Sequence, residues 1–156
     1  MSKSNVKPAQ GKLGVMVVGL GAVTSTFMTG VLMARKGLAK PVGSMTQYDK
    51  IRVSDGKETK YLKYNEIVPI ASLNDIVFGA WDVYPANAYE SAINAEVLKE
   101  KDINPVKDEL EAIKPLKAAF DHNYAKRLDG SNIMVGKTRW EMVEQLREDI
   151  RNFKKE

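Results

Sequence analysis

The 156 residues have ordinary apolar and charged fractions, 44% and 28%, which suits one domain with a real core and leaves little room for two. With no cysteine and a single histidine, His122, the chain lacks the residues for disulfides, thiolate metal sites, cysteine nucleophiles or a typical zinc site. The net charge of +4 sits largely at the ends, in Lys3, Lys7, Lys12, Arg151, Lys154 and Lys155, without the basic stripe that a nucleic-acid surface needs.

Met1 to Gln10 is polar and contains Pro8, which reads as a loose leader preceding a domain over residues 11–156. Leu13 to Val18 is a short apolar, partly β-branched run suited to a strand buried on both faces. Gly19 and Gly21 then supply a turn, and from Thr24 onward Phe27, Val31, Leu32 and Ala34 recur on one side of a helix that ends near Gly37. Residues 13–34 carry no charge and follow lysines, so a membrane span or signal peptide has to be weighed. Gly14, Gly19, Gly21, Gly30, Thr24, Ser25, Thr26 and Thr29 interrupt the run, and no small-residue cleavage site follows it. The expectation is therefore a cytoplasmic chain with no membrane partner.

Pro41 to Tyr48 reads as a loop that can lie over a ligand. Ile51-Arg52-Val53 and Tyr61 to Tyr64 alternate as strands around the turn Ser54-Asp55-Gly56-Lys57, predicting a hairpin. Asn74 to Asp82 repeats the opening logic, with a buried run, a glycine and a polar residue at the strand's carboxyl end. Pro85 suits the first turn of a helix whose apolar face is Tyr89, Ala92, Ile93 and Val97. Asn104-Pro105 opens another helix through Leu110 and Ile113, stopped by Pro115. Asp121 to Ser131 is polar and irregular, and from Arg139 the residues Trp140, Val143, Leu146, Ile150 and Phe153 form one helical stripe. Two strands of parallel type are clear, fewer than a doubly wound domain carries. The sequence thus reads as the first part of a larger protein, ending before the remaining strands.

A glycine turn between a strand and a helix N-terminus exposes backbone amides that can face a pyrophosphate. The dinucleotide fingerprint is incomplete, because Thr24 replaces the third glycine and no acid stands about twenty positions on. Thr24, Ser25 and Thr26 can cap the helix or bind phosphate oxygens. Asp82 can accept from a ribose or from backbone amides, or cap the helix near Pro85, capping being the commoner role. Residues 131–138 imitate the end of a P-loop, but Ser131 stands where its first glycine belongs, so Gly136 and Thr138 read as a loop and a helix cap. His122 in its polar loop reads as solvent-exposed rather than as an acid or base.

Val17-Val18-Gly19-Leu20-Gly21, Gly43-Ser44-Met45-Thr46-Gln47, Asp75 to Val83 and the segment Asn87 to Leu98 together resemble the amino-terminal part of the myo-inositol-3-phosphate synthase (inositol-1-phosphate synthase) family. The resemblance implies an α/β fold, a Rossmann-like parallel sheet with flanking helices, that binds NAD. In that family, NAD oxidises glucose 6-phosphate at C5, C6 then attacks C1 in an intramolecular aldol closure, and NADH reduces the ring ketone. By resemblance the cofactor-binding positions are Gly19, Gly21, Ala22, Val23, Thr24 and Asp82, and the Gly43 to Gln47 and Trp81-Asp82 segments mark the glycine turn as one wall of a cofactor pocket. The family's catalytic lysines and tetramer-forming sheet come from later sequence, so no catalytic residue is expected here. A homotetramer is expected of the complete protein. A stand-alone nucleotide-binding module, or a dehydrogenase of another substrate, are the alternative readings.

Overall fold

The computed structural model describes Lys7 and residues 11–54 and 56–154. The expected leader, residues 1–10, lies outside the described residues except for Lys7, as does Asp55 of the predicted turn. The first strand, β1 (Leu13–Val18), pairs in parallel with β4 (Ile76–Asp82), from Leu13 opposite Ile76 to Val18 opposite Trp81. A short β5 (Leu116–Lys117) adds to the far side of β4, also in parallel, giving the order β1-β4-β5. Strand β5 has no signature in the sequence, because two residues held by Trp81 and Asp82 carry no periodicity.

Between the first two strands the chain forms α1 (Ala22–Arg35), then an excursion. Helix α1 ends at Arg35, close to the Gly37 expected, where φ of 68° admits the turn and the N–H groups of Gly37 and Leu38 close on Ala34 O and Met33 O. The excursion holds one-turn helix α2 (Met45–Tyr48), the predicted hairpin of β2 (Lys50–Ser54) and β3 (Thr59–Lys63), and one-turn α3 (Tyr64–Ile67). After β4 come α4 (Ala88–Asn94), α5 (Glu100–Ile103) and α6 (Lys107–Ala112), and after β5 the last helix, α7 (Arg139–Phe153). Helix α4 stops short of Val97, with Glu96 at φ 54°.

Alternation along the strands sends Val15, Val17, Ile76, Phe78 and Ala80 to one face, where α1, α4 and α6 cover them. Met28, Val31 and Leu32 of α1 meet Ala88, Ala92, Ile103, Val106 and Leu110 there, all buried. Small residues, Ser25 and Thr29 on α1 and Ala88 and Ala92 on α4, line the buried sides of these two packed helices. Arg35 straps the helix to the sheet: its Nε donates to Leu73 O at 2.6 Å, a terminal nitrogen donates to Ile76 O, and its guanidinium lies 5.6 Å over the Phe78 ring.

The opposite face belongs to α7. The Trp81 indole N–H donates to Asp149 at 2.9 Å near the carboxyl end of β4, and Phe153 lies over Gly14 and Gly79 toward the amino end, so α7 runs antiparallel to the strands. The single stripe predicted for α7 divides. Leu146 and Phe153 are partly buried, whereas Trp140, Val143 and Ile150 are exposed, because the narrow sheet offers only one line of contact. A Cβ on Gly14 would come within 2.8 Å of the Phe153 ring, and one on Gly79 within 3.1 Å. Gly14→Val is therefore expected to lift the end of α7 and cost about 1–3 kcal/mol in a urea melt, while Gly30→Ala, in open space within α1, leaves stability unchanged or raised.

Candidate functional site

The three parallel strands end together, and beyond them opens a cavity of about 590 Å³, within the size range of ligand sites. Its walls are the turn after β1, the end of β4, the near side of α4, and a cap carrying Ala119, Phe120 and Leu128.

The turn is held from both sides. Gly19 adopts φ 94°, where a side chain is strained, and its N–H donates to Trp81 O at 2.8 Å. Leu20 is only 2% exposed and anchors the turn in the core. Gly21 is the N-cap of α1, in extended conformation, and no side chain caps the helix. Ser25 N–H closes on Gly21 O at 3.0 Å, so the amides of Ala22, Val23 and Thr24 are left facing outward with the positive end of the helix dipole. A Cβ on Gly21 would meet nothing within 4 Å, which leaves space for a ligand to approach the backbone. The Thr24 hydroxyl donates to Gly19 O at 2.9 Å, closing the turn while keeping its lone pairs.

Asp82 does not cap the helix after Pro85, the role favoured by its sequence context. That helix, α4, begins later, and Asn87 caps it in a reciprocal box with Glu90, each pairing at 2.9 Å. The Asp82 carboxylate instead accepts the Leu20 N–H on one oxygen and the Tyr84 N–H, at 2.8 Å, on the other. Each oxygen retains a lone pair. Asp82 thus stands at the end of the neighbouring parallel strand, 62 positions after Leu20.

The cap is the polar segment after β5, which sequence reasoning left without a role. Its ends are tied at the sheet, where Ala118 N–H donates to Asn132 O and Met134 N–H to Ala118 O, each at 3.0 Å. Asp121 ties it to the start of α7 through Arg139 at 2.9 Å. The Asn123 backbone N–H, with the Arg139 guanidinium second, holds the Asp121 carboxyl below its usual value, so this tether is charged at neutral pH. Exposed His122 lies edge-on to Phe120 at 4.7 Å, in keeping with its reading as a surface residue. Thr138 caps α7 with Glu141, as the rejected P-loop reading had left it.

The segment Pro41 to Tyr48 is corrected. It does not line the cavity; Gln47 reaches Ala71 O at 3.3 Å, ahead of β4 and on the other end of the sheet. The patterning of Gly43 to Gln47 identified a family, and the place of that segment depends on the hairpin excursion. Among the described residues no cluster of three or more histidine, cysteine, aspartate or glutamate could hold a metal ion, and no helix is long and apolar enough to cross a membrane.

The NAD-binding family model described as myo-inositol-1-phosphate synthase matches residues 13–156. The chain is 62% identical to inositol-3-phosphate synthase 1 of Bacteroides thetaiotaomicron over 153 residues, which are 97% of this chain and 35% of that protein. It is 35% identical to inositol-3-phosphate synthase 1 of Oryza sativa, covering 92% of this chain and 31% of the relative. The crystal structure of inositol-3-phosphate synthase from Caenorhabditis elegans superposes with a TM-score of 0.81 at 26% identity, over 96% of this chain and 32% of that one. The chain therefore spans about a third of the length of these relatives. On the strength of a match running through both the strand-turn-helix unit and the cap, the chain belongs to the myo-inositol-1-phosphate synthase family.

Proposed function

We propose that residues 11–156 form the amino-terminal, NAD-binding part of an inositol-3-phosphate synthase, preceded by a short leader. The whole protein would convert glucose 6-phosphate to myo-inositol 3-phosphate. The observation that carries this reading is the open N-terminus of α1, uncapped by any side chain and reached over Gly21 with no atom in the way. In this proposal Gly19 and Gly21 give the pyrophosphate access, Ala22, Val23 and Thr24 offer it their amides, and the free lone pairs of Asp82 take a ribose hydroxyl. Bound NAD supplies a hydride acceptor, and in its reduced form the hydride donor that makes the overall reaction an isomerisation.

The chemistry of the cavity wall supports binding in place of catalysis. Among the described residues, the side chains with a titratable group on this wall are Asp82 and Tyr84, and Asp82 is already committed to two backbone amides. No lysine or arginine lines it. Proton transfer and the handling of the sugar phosphate are therefore assigned to other sequence of the complete protein.

Calorimetry of the folded chain with NAD tests the reading: a saturable signal supports it, and its absence overturns it. Gly21→Val is expected to keep the fold, since a Cβ there meets nothing within 4 Å, and to weaken NAD binding about tenfold or more by filling the approach to the pyrophosphate. Unchanged affinity in that folded variant would remove NAD from this turn. Asp82→Asn is expected to cost about 1–3 kcal/mol in a denaturant melt, because an amide nitrogen would then confront the Leu20 or Tyr84 N–H. For the complete protein, glucose 6-phosphate should yield inositol 3-phosphate with no net NADH.

A further inference from the structure

We infer that Asn132 is a positioning residue for the turn after β1, acting through the main chain of Asp82. Its side-chain nitrogen donates to two carbonyl oxygens, Asp82 O at 2.9 Å and Leu116 O at 3.1 Å, and so bridges the end of β4 to the start of β5. Both acceptors are carbonyls, so only the NH2 of the amide can face them. Its backbone N–H donates to Val83 O at 2.8 Å, and its carbonyl accepts from Ala118. One residue thereby fixes the carbonyls of both Asp82 and Val83.

Those two peptides decide where the Asp82 carboxylate points, and that carboxylate holds the Leu20 amide in the turn. The chain is brought this close by Gly130, where a Cβ would fall 2.7 Å from the Val83 carbonyl carbon and 2.8 Å from Val83 Cβ. Asn132 itself does not line the cavity. It stands behind the site, and joins the base of the Phe120 cap to the strand end that orients the turn. The expected effect on cofactor affinity rests on the NAD reading above; the effect on the Leu20 amide does not.

The test is Asn132→Asp in the full chain, which keeps the shape and replaces the donor with a carboxylate oxygen. The amide proton of Leu20 is followed by NMR, and NAD affinity by calorimetry. The Leu20 resonance should move upfield and its hydrogen exchange accelerate, although Leu20 makes no hydrogen bond to Asn132. NAD affinity should fall about tenfold, as for loss of one well-formed hydrogen bond. An unmoved Leu20 amide in the folded variant would overturn the inference, whatever happens to NAD. A moved Leu20 amide in a chain that binds no NAD would uphold it and overturn the cofactor reading. Should Asn132→Asp fail to fold, Asn132→Ala, which removes the donor without adding a charge, should show the same displacement, and an unmoved Leu20 amide there also overturns the inference.

Discussion

The acceptance of the Leu20 N–H by the Asp82 carboxylate is the constraint on which the site depends. Adjacent parallel strands diverge at their carboxyl ends, because each chain leaves toward its own helix. Beyond the paired Val18 and Trp81 the ladder ends with the Gly19 N–H on Trp81 O. A charged acceptor on one exit and a backbone donor on the other restore the link, and such bonds are stronger than neutral ones. Leu20 contributes the second restraint through its buried side chain. With the amide tied on one side and the side chain on the other, the turn keeps its form without a ligand, and the amides of Ala22, Val23 and Thr24 need not be reorganised to meet one.

Helices on the two faces of the sheet explain why a cavity lies there at all. Helix α1 and the α4 to α6 group cover one face, and α7 the other. Ligands of open α/β sheets bind beyond the carboxyl ends of the strands, where the chain changes direction between the faces. The glycines divide accordingly. Gly14 and Gly79 let Phe153 press onto the backbone, and Gly130 lets the cap cross Val83, whereas Gly19 and Gly21 have no protein neighbour to admit. Close packing accounts for the first three. Conformation accounts for Gly19, at φ 94°, and space left for a ligand is the reading proposed for Gly21.

Much of this was legible in the sequence because it is local. A β-branched run, two glycines and a helical stripe give β1, the turn and α1 in succession, and turn residues mark the hairpin. What depends on chain crossing was not legible. The expected spacing of the acid assumes that the second strand follows the first helix directly, and residues 36–75 intervene here. In the proposed reading Asp82 fills that place by topology and not by spacing. Its role as a loop brace in place of a helix cap could be seen only once Leu20 and Tyr84 were beside it. Asn132 is further removed still, since its partners come from two strands, one of which is two residues long. Its signal in the sequence is at most an asparagine two residues after a glycine in a polar loop.

The character of the cavity wall limits how a phosphate can be held. A pyrophosphate brought against lysines would gain affinity from point charges that salt screens. This wall has none, and offers directed amides at the end of a helix of 14 residues. Amides cannot follow a ligand as flexible ammonium groups can, so their value depends on the accuracy with which the backbone is placed. On the proposed NAD reading, that dependence gives the hydrogen bonding behind the turn its use. Gly19 is held to Trp81, Leu20 to Asp82, Thr24 to Gly19, and Asp82 and Val83 to Asn132. Precision in the outer residues substitutes for charge in the inner ones.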